Sequence, residues 1–196
     1  MSNPTKVKIK DRIYPINTDF RIAIECNQIA LDTKIGNYER SLAIIYKLYG
    51  NKGLENVNDY ADLLELAKKF LSCGKEIPKE SEREKQEPDM DYIQDMDYIK
   101  ASFMSDYRID LDNTQMHWWT FYNLINGLSN SELGNCCILN RIRNLRNYDT
   151  STIKDPKEKR KIEEAKKQVA LHKKEKELTK EQLESIRRFN ELIGLK

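Results

Sequence analysis

The sequence predicts a mainly α protein, an irregular helical domain of about seven to eight helices with a small N-terminal β-hairpin. Glycine and proline supply only 12 of the 196 residues, which leaves too few chain reversals for a many-stranded sandwich or barrel. Apolar residues recur at helical spacing along most of the chain. Charged residues make up 34% and apolar residues 39%, so we expect one modest core beneath long charged helical faces.

The composition also excludes several classes of protein. No run approaches ~18 apolar residues, so we expect no membrane-spanning helix. The first residues lack the apolar segment of a secretory signal. The cysteines are too scattered for a disulfide framework, which indicates a reducing compartment; they are Cys26, Cys73, Cys136 and Cys137.

The hairpin is predicted at the start of the N-terminal part, residues 1–74. Apolar and charged residues alternate over residues 7–16 around a tight connection at Asp11–Arg12. Pro15 has no N–H to donate, so its strand must be an edge. Because an isolated hairpin is marginal in water, we expect it to pack against helices.

Three helices follow the hairpin in the same part. We expect the first to be capped by Asn17 or Thr18. We expect the second to run from about Asn37 to Tyr49 and to be closed by Gly50, and the third to run from about Asn58 to Gly74. The second of them places Leu42, Ile45, Tyr46 and Tyr49 on one face. Such faces predict burial against the hairpin and against one another.

A charged segment divides the chain. Nine of the fourteen residues in 75–88 are charged, which predicts a linker or a surface loop. Residues 89–150 follow as an aromatic-rich helical core. Residues 151–196 are predicted to form charged C-terminal helices that act as one cooperative unit with that core.

An aromatic helix over 115–126, capped by Thr114 and closed by Gly127, is the most distinctive stretch. Its apolar face is centred on Phe121, and the preceding helix contributes a matching face. The predicted core residues are Trp118, Phe121, Ile125, Phe103 and Ile99.

Trp119 neighbours polar residues on this helix and lies at the edge of the apolar face. Two interpretations stay open for it: an edge of the core, or a partly exposed anchor for a partner protein. The candidate partner-binding residues are Trp119, Met116, Leu192 and Ile193.

Three more helices are predicted after the aromatic helix. Asp155 followed by Pro156 and, two residues later, Glu158 is a strong helix start. The expected bounds are Ser131 to about Asn144, Asp155 to about Lys176, and Thr179 to Gly194.

No catalytic, cofactor-binding or metal site is predicted. The chain has no Gly-x-Ser-x-Gly motif and no glycine-rich phosphate loop, and His117 lacks an evident nucleophile. It has no Cys-x-x-Cys motif, and the adjacent Cys136 and Cys137 would diverge by about 100° on a helix. We therefore expect a protein that is not an enzyme.

Charge is distributed unevenly. Residues 76–112 hold 12 acidic and 5 basic residues, and residues 141–176 hold 13 basic and 6 acidic residues. The two segments would attract each other within one chain or between chains, and the second case predicts a homo-oligomer. The basic segment 141–176 also admits an alternative function, a nucleic-acid-binding regulator.

Several motifs resemble the gene-product-fifteen family of tailed phages and prophages of Gram-positive bacteria. The residues that carry the resemblance are Ile13–Arg21, Asp97–Phe103, Tyr107, Ile109–Leu111, His117–Trp119, Phe121, Leu124 and Gly127–Leu128. The Ala-Ser-Phe and His-Trp-Trp pieces at this spacing are the most specific. The charged insertion Lys75–Pro88 and the segment from Thr179 onward depart from the family pattern.

The resemblance implies a tail assembly chaperone, which coats the tape measure protein until tube subunits polymerise around it. Such a chaperone is expected in the cytoplasm of the bacterial host and not in the mature virion. It needs no cofactor and no catalytic residue. A minor structural protein of the tail is a further alternative, and it would remain in the particle.

Overall fold

The computed structural model describes residues 3–76, 88–130 and 136–172. Within these ranges it contains a two-stranded antiparallel hairpin and seven α-helices, which confirms the predicted fold class. In chain order the elements are β1 (Lys6–Ile9), β2 (Arg12–Pro15), α1 (Phe20–Leu31), α2 (Asn37–Leu54), α3 (Tyr60–Leu71), α4 (Met96–Tyr107), α5 (Trp118–Asn126), α6 (Ile138–Asn147) and α7 (Pro156–Gln168). Short 3-10 turns precede α3 at Val57–Asp59 and α7 at Thr150–Thr152.

The hairpin pairs Val7 with Tyr14 and contacts α2 and α3, as an isolated hairpin requires. Tyr14 is 1% exposed, and its hydroxyl donates to the carboxylate of Asp59 at 2.5 Å. Asp59, in the turn before α3, also accepts from Arg12 at 2.9 Å. This polar network fixes the hairpin on the start of α3.

The residue that caps helix α1 is Asp19, which follows the two predicted caps in the sequence. The Asp19 carboxylate accepts the N–H of Arg21 at 2.9 Å. Asn17 and Thr18 are instead in extended chain: the Asn17 N–H donates to the Leu48 carbonyl, and the Thr18 carbonyl accepts the Trp118 N–H, both at 2.7 Å. The prediction of Asn17 or Thr18 as the cap is therefore wrong.

Gly50 interrupts α2 rather than ending it. Its φ of 64° and ψ of −159° break the helical path, and the helix resumes as far as Leu54. Such a conformation is available to glycine and strained for other residues. The break accompanies the bond between the Leu48 carbonyl and the Asn17 N–H, which joins α2 to the end of β2.

The aromatic helix starts at Trp118, not at residue 115, and His117 replaces Thr114 as its cap. The reason is a short extended contact with the start of α1. The Met116 carbonyl accepts the Phe20 N–H at 3.0 Å, and Asp19 and His117 form a β-bridge. Gly127 follows the last helical residue, as predicted.

The later helices differ from their predicted bounds. Helix α6 is capped by Cys137, and Cys136 lies in a bridge with Asn130, so the two cysteines do not share a helix. The predicted start at Ser131 lies outside the described residues. Helix α7 starts after Asp155 as predicted but ends at Gln168, short of Lys176. The helix predicted from Thr179 to Gly194 also lies outside the described residues.

The core is centred on Phe121. Its ring stacks on Phe20 at a centroid distance of 4.5 Å, on Phe103 at 5.3 Å and on Trp118 at 5.8 Å. Phe20 belongs to α1, whereas the other rings belong to α4 and α5. The first three helices and the later ones therefore share one core.

Candidate partner-binding surfaces

The His-Trp-Trp motif joins α5 to the C-terminal end of α3. The indole N–H of Trp118 donates to the Leu71 carbonyl at 3.0 Å, and that of Trp119 donates to the Phe70 carbonyl at 2.8 Å. Carbonyls in the last turn of a helix have no partner within the helix. The two tryptophans therefore satisfy two of these groups.

His117 is the cap of α5. Its Nδ1 accepts the Trp119 N–H at 3.0 Å, and its Nε2 lies 2.9 Å from the Pro4 carbonyl oxygen. A carbonyl only accepts, so these contacts assign the proton to Nε2 and the lone pair to Nδ1. Both ring nitrogens are thus used in holding the backbone in place.

The predicted partner-binding residues do not form one exposed patch. Trp119 is half-buried and stacks on Phe70 at a centroid distance of 6.3 Å. Met116 is only 9% exposed, because its backbone pairs with Phe20 and holds its side chain in the core. Met116 is therefore not a surface residue, which corrects its assignment. Leu192 and Ile193 lie outside the described residues.

All five predicted core residues are buried. Trp118, Phe121, Ile125, Phe103 and Ile99 are each no more than 4% exposed. The Ala-Ser-Phe motif has a second role that sequence reasoning missed. The Ser102 hydroxyl oxygen accepts the Leu139 N–H at 3.1 Å, so α4 satisfies an amide in the first turn of α6. In the sequence, this contact is indicated only by the position of Ser102 next to Phe103, a predicted core residue.

The acidic and basic segments meet within one chain. Arg146 and Asp95 form a bidentate pair with both distances 2.7 Å, and their side chains are 7% and 0% exposed. Arg143 binds the Asp89 carboxylate at 3.0 Å. These two arginines of the basic segment 141–176 are therefore engaged with carboxylates, which leaves fewer cations of that segment for the phosphate contacts of the nucleic-acid alternative.

An open groove of about 490 Å³ lies between the end of β2, α1 and α2. Ile16, Leu48 and Tyr49 are its buried lining, and Ile22 is half-buried. Tyr46 is 50% exposed at the groove, although its spacing predicted a place on the buried face of α2. Sequence reasoning missed this groove because it forms where Gly50 breaks the helix and the chain after β2 bonds to Leu48.

Further apolar side chains are exposed at one end of the α1–α2 pair. Leu31, the last residue of α1, is 60% exposed, and Tyr38, near the start of α2, is 64% exposed. They flank the short connection between the two helices. Exposed apolar groups of this size on a highly charged protein are candidates for contact with a partner.

Two of the described thiols, Cys26 and Cys73, are not activated for nucleophilic chemistry. Burial raises the pKa of Cys26 to about 12 and that of Cys73 to about 11, so both remain protonated at neutral pH. Within residues 3–76, 88–130 and 136–172, no group of three or more His, Cys, Asp or Glu side chains could hold a metal ion. None of the helices in these ranges is long and apolar enough to cross a membrane.

Comparison with known proteins identifies one family. A family model described as Bacteriophage Gp15 protein matches residues 2–171. No curated protein matches the chain, and no solved structure does. The matched range includes the hairpin, the His-Trp-Trp joint, the groove and all seven described helices. The chain therefore belongs to the bacteriophage Gp15 protein family.

Proposed function

We propose that this phage protein is a tail assembly chaperone that binds the tape measure protein and catalyses no reaction. The observation that carries the proposal is the open apolar groove beside Tyr46 on a charged helical body. Binding there needs neither a cofactor nor a reacting group. The protein acts in the host cytoplasm and leaves before the particle is complete.

The groove suits one face of an amphipathic helix. Ile16 and Leu48 line it beside the polar Asn17 and Lys47. Tyr46 and Ile22 offer further apolar surface that a bound aliphatic side chain would remove from water. Burial of apolar area stabilises a complex by about 25 cal/mol per Å² before the losses of association are subtracted. One such site binds weakly, so a long helical client would be covered by many copies, each at one apolar stretch.

Co-expression with the tape measure protein of the same phage tests the proposal. The wild-type chain is expected to keep the tape measure protein soluble and to co-purify with it. Tyr46→Glu places a charge in the groove and should abolish both effects. Tyr148→Glu is the matched control, because Tyr148 is also exposed, at 47%, and does not line the groove.

Two outcomes would overturn the proposal. One is a tape measure protein whose solubility and recovery do not depend on the co-expressed chain. The other is equal loss of binding in the two glutamate variants when both melt like the wild type. Mass spectrometry of purified particles separates the chaperone from a minor structural tail protein, because only the latter remains in the virion.

A further inference from the structure

Helix α7 lies outside the core of the protein. None of its residues is buried, and its most extensive contacts in the described chain are with α6 and the turn at Thr150–Thr152. Its apolar positions, Ile162 and Ala165, are half-buried, as is Val169 immediately after it. A helix held this way opens at a lower free energy than the helices of the core.

Polar bonds close the C-terminal end of α7 onto the rest of the chain. The Arg146 side chain donates from Nε to the Val169 carbonyl at 2.6 Å. The Gln94 side-chain amide donates to the Ala170 carbonyl at 2.9 Å and accepts the His172 N–H at 2.8 Å. Water replaces such bonds readily, so breaking them costs far less than unfolding the core. We name the two side chains, Gln94 and Arg146, the clasp.

The helix combines an apolar stripe with an excess of positive charge. Residues 156–168 hold six basic and three acidic side chains. Among the basic ones Lys157, Lys161 and Lys167 are exposed. The complementary surface is an apolar stripe flanked by carboxylates, as an acidic amphipathic helix presents it.

We propose that α7 with residues 169–172 is a detachable arm, which opens at the clasp and binds an acidic amphipathic helix of a partner protein. The rest of the fold stays closed, because Arg146 keeps its bidentate pair with Asp95 when the Val169 bond breaks. This inference goes beyond the proposed function, since it concerns a second surface, on α7, that shares no lining residue with the groove at α1 and α2.

A protein partner fits the arm better than a nucleic acid does. Glu158, Glu163 and Glu164 interrupt the basic residues, so the arm has no continuous basic stripe along which a phosphate backbone could run. Ile162 and Ala165 would add nothing to phosphate contacts, whereas they complete an apolar stripe for a helix.

Hydrogen exchange on the full chain tests the opening. We expect the amides of α7 to exchange faster than those of α5 in the wild type. Gln94→Ala removes two hydrogen bonds of the clasp, so it should accelerate exchange in α7 by at least a further threefold to tenfold and leave α5 unchanged. Gln115→Ala, a substitution at an exposed glutamine outside the clasp, is the control and should change neither. Equal protection of α7 and α5 in the wild type would overturn the arm.

Binding of a synthetic helix tests the partner class. The probe is a labelled amphipathic peptide of leucine, alanine and glutamate, compared with the same peptide carrying lysine in place of glutamate. The full chain should bind the acidic peptide and not the lysine peptide. The Gln94→Ala variant should bind the acidic peptide about threefold to tenfold more tightly, because the arm opens more easily. The Ile162→Asp variant should bind it more weakly than the wild type. Equal binding of both peptides, an unchanged affinity in Gln94→Ala, or binding of duplex DNA without the acidic peptide would each contradict the proposal.

Discussion

The indole N–H of Trp118 donates to the carbonyl of Leu71 across 3.0 Å, although 47 positions separate the two residues. Trp119 repeats the contact one carbonyl earlier, at Phe70. The pair of tryptophans thus binds the last two carbonyls of α3 and joins α5 to that end of the helix. The His-Trp-Trp motif, which carries part of the resemblance to the phage family, thus joins the N-terminal helices to the aromatic helix in the structure.

The two tryptophans should differ in their contribution to stability. Trp118 is 1% exposed, so Trp118→Ala should lower the free energy of unfolding by ~3–5 kcal/mol, the usual range for a large aromatic ring in a core. Trp119 is half-buried, so Trp119→Ala should lower it by less. Urea unfolding at neutral pH measures both. The reverse order would show that α5 presents a different face to the core.

The buried pair of Arg146 and Asp95 predicts a large single loss and a partial recovery. Arg146→Met leaves the Asp95 carboxylate buried without its partner and should lower the free energy of unfolding by about 3–5 kcal/mol. Adding Asp95→Leu removes the orphaned charge and should restore much of that loss. Arg141→Met, at an exposed residue of the same helix, is the control. Equal melting temperatures of Arg146→Met and Arg141→Met would contradict this prediction.

Acid should weaken the attachment of the hairpin. The Tyr14 hydroxyl, with further help from Arg12, holds the pKa of Asp59 below its usual value. A carboxyl whose pKa is lower in the folded state stabilises the fold fully above the unfolded pKa of about 3.9, and that contribution disappears as the pH falls through the folded pKa. The free energy of unfolding should therefore decline as the pH is lowered from about 6 to about 2.

Tyr14→Phe removes the phenol donor and should make this acid-dependent decline smaller. Tyr60→Phe is the control, since the Tyr60 hydroxyl donates to the Leu54 carbonyl and to no carboxylate in the described structure. A decline of the same size in Tyr14→Phe and the wild type would exclude the bond between Tyr14 and Asp59 as its source.

Gly50 should not tolerate a side chain. A Cβ at this position meets no atom within 4 Å, so the expected loss comes from the backbone, whose φ is 64°. Gly50→Ala should lower the free energy of unfolding by about 1–3 kcal/mol. Gly36→Ala is a fair comparison, because Gly36 has a φ of −63° and a Cβ there meets only the flexible Glu39 side chain. A melting temperature unchanged in Gly50→Ala would mean that α2 is straight in solution.

Self-association should depend on salt if the charged segments join different copies. Light scattering after size exclusion at ~50 mM and ~500 mM salt separates the cases, since the Debye length shortens between these concentrations. A homo-oligomer assembled with the help of charge should shift towards 23.1 kDa at high salt. A monomer at both concentrations would assign the asymmetry to contacts within the chain, such as that of Arg146 with Asp95.

Local features of the sequence were sufficient for much of the fold. The alternation over residues 7–16 predicted the hairpin, and Asp155 with Pro156 predicted the start of α7. The spacing around Phe121 identified residues that the structure buries. In each case the deciding neighbours lie within a few positions along the chain, where helix and strand periodicity and capping preferences operate.

Tertiary contacts decided the rest. Residues 115–117 have a helical pattern, yet they are extended because the chain at Asp19 and Phe20 takes their backbone hydrogen bonds. Met116 is buried by that same contact. Tyr46 has the spacing of a buried residue, yet it is exposed at the groove where the chain after β2 meets α2. Backbone and side-chain groups that are distant in sequence compete for the same hydrogen-bond and packing partners. The periodicity of the sequence does not show which of these groups makes the contact.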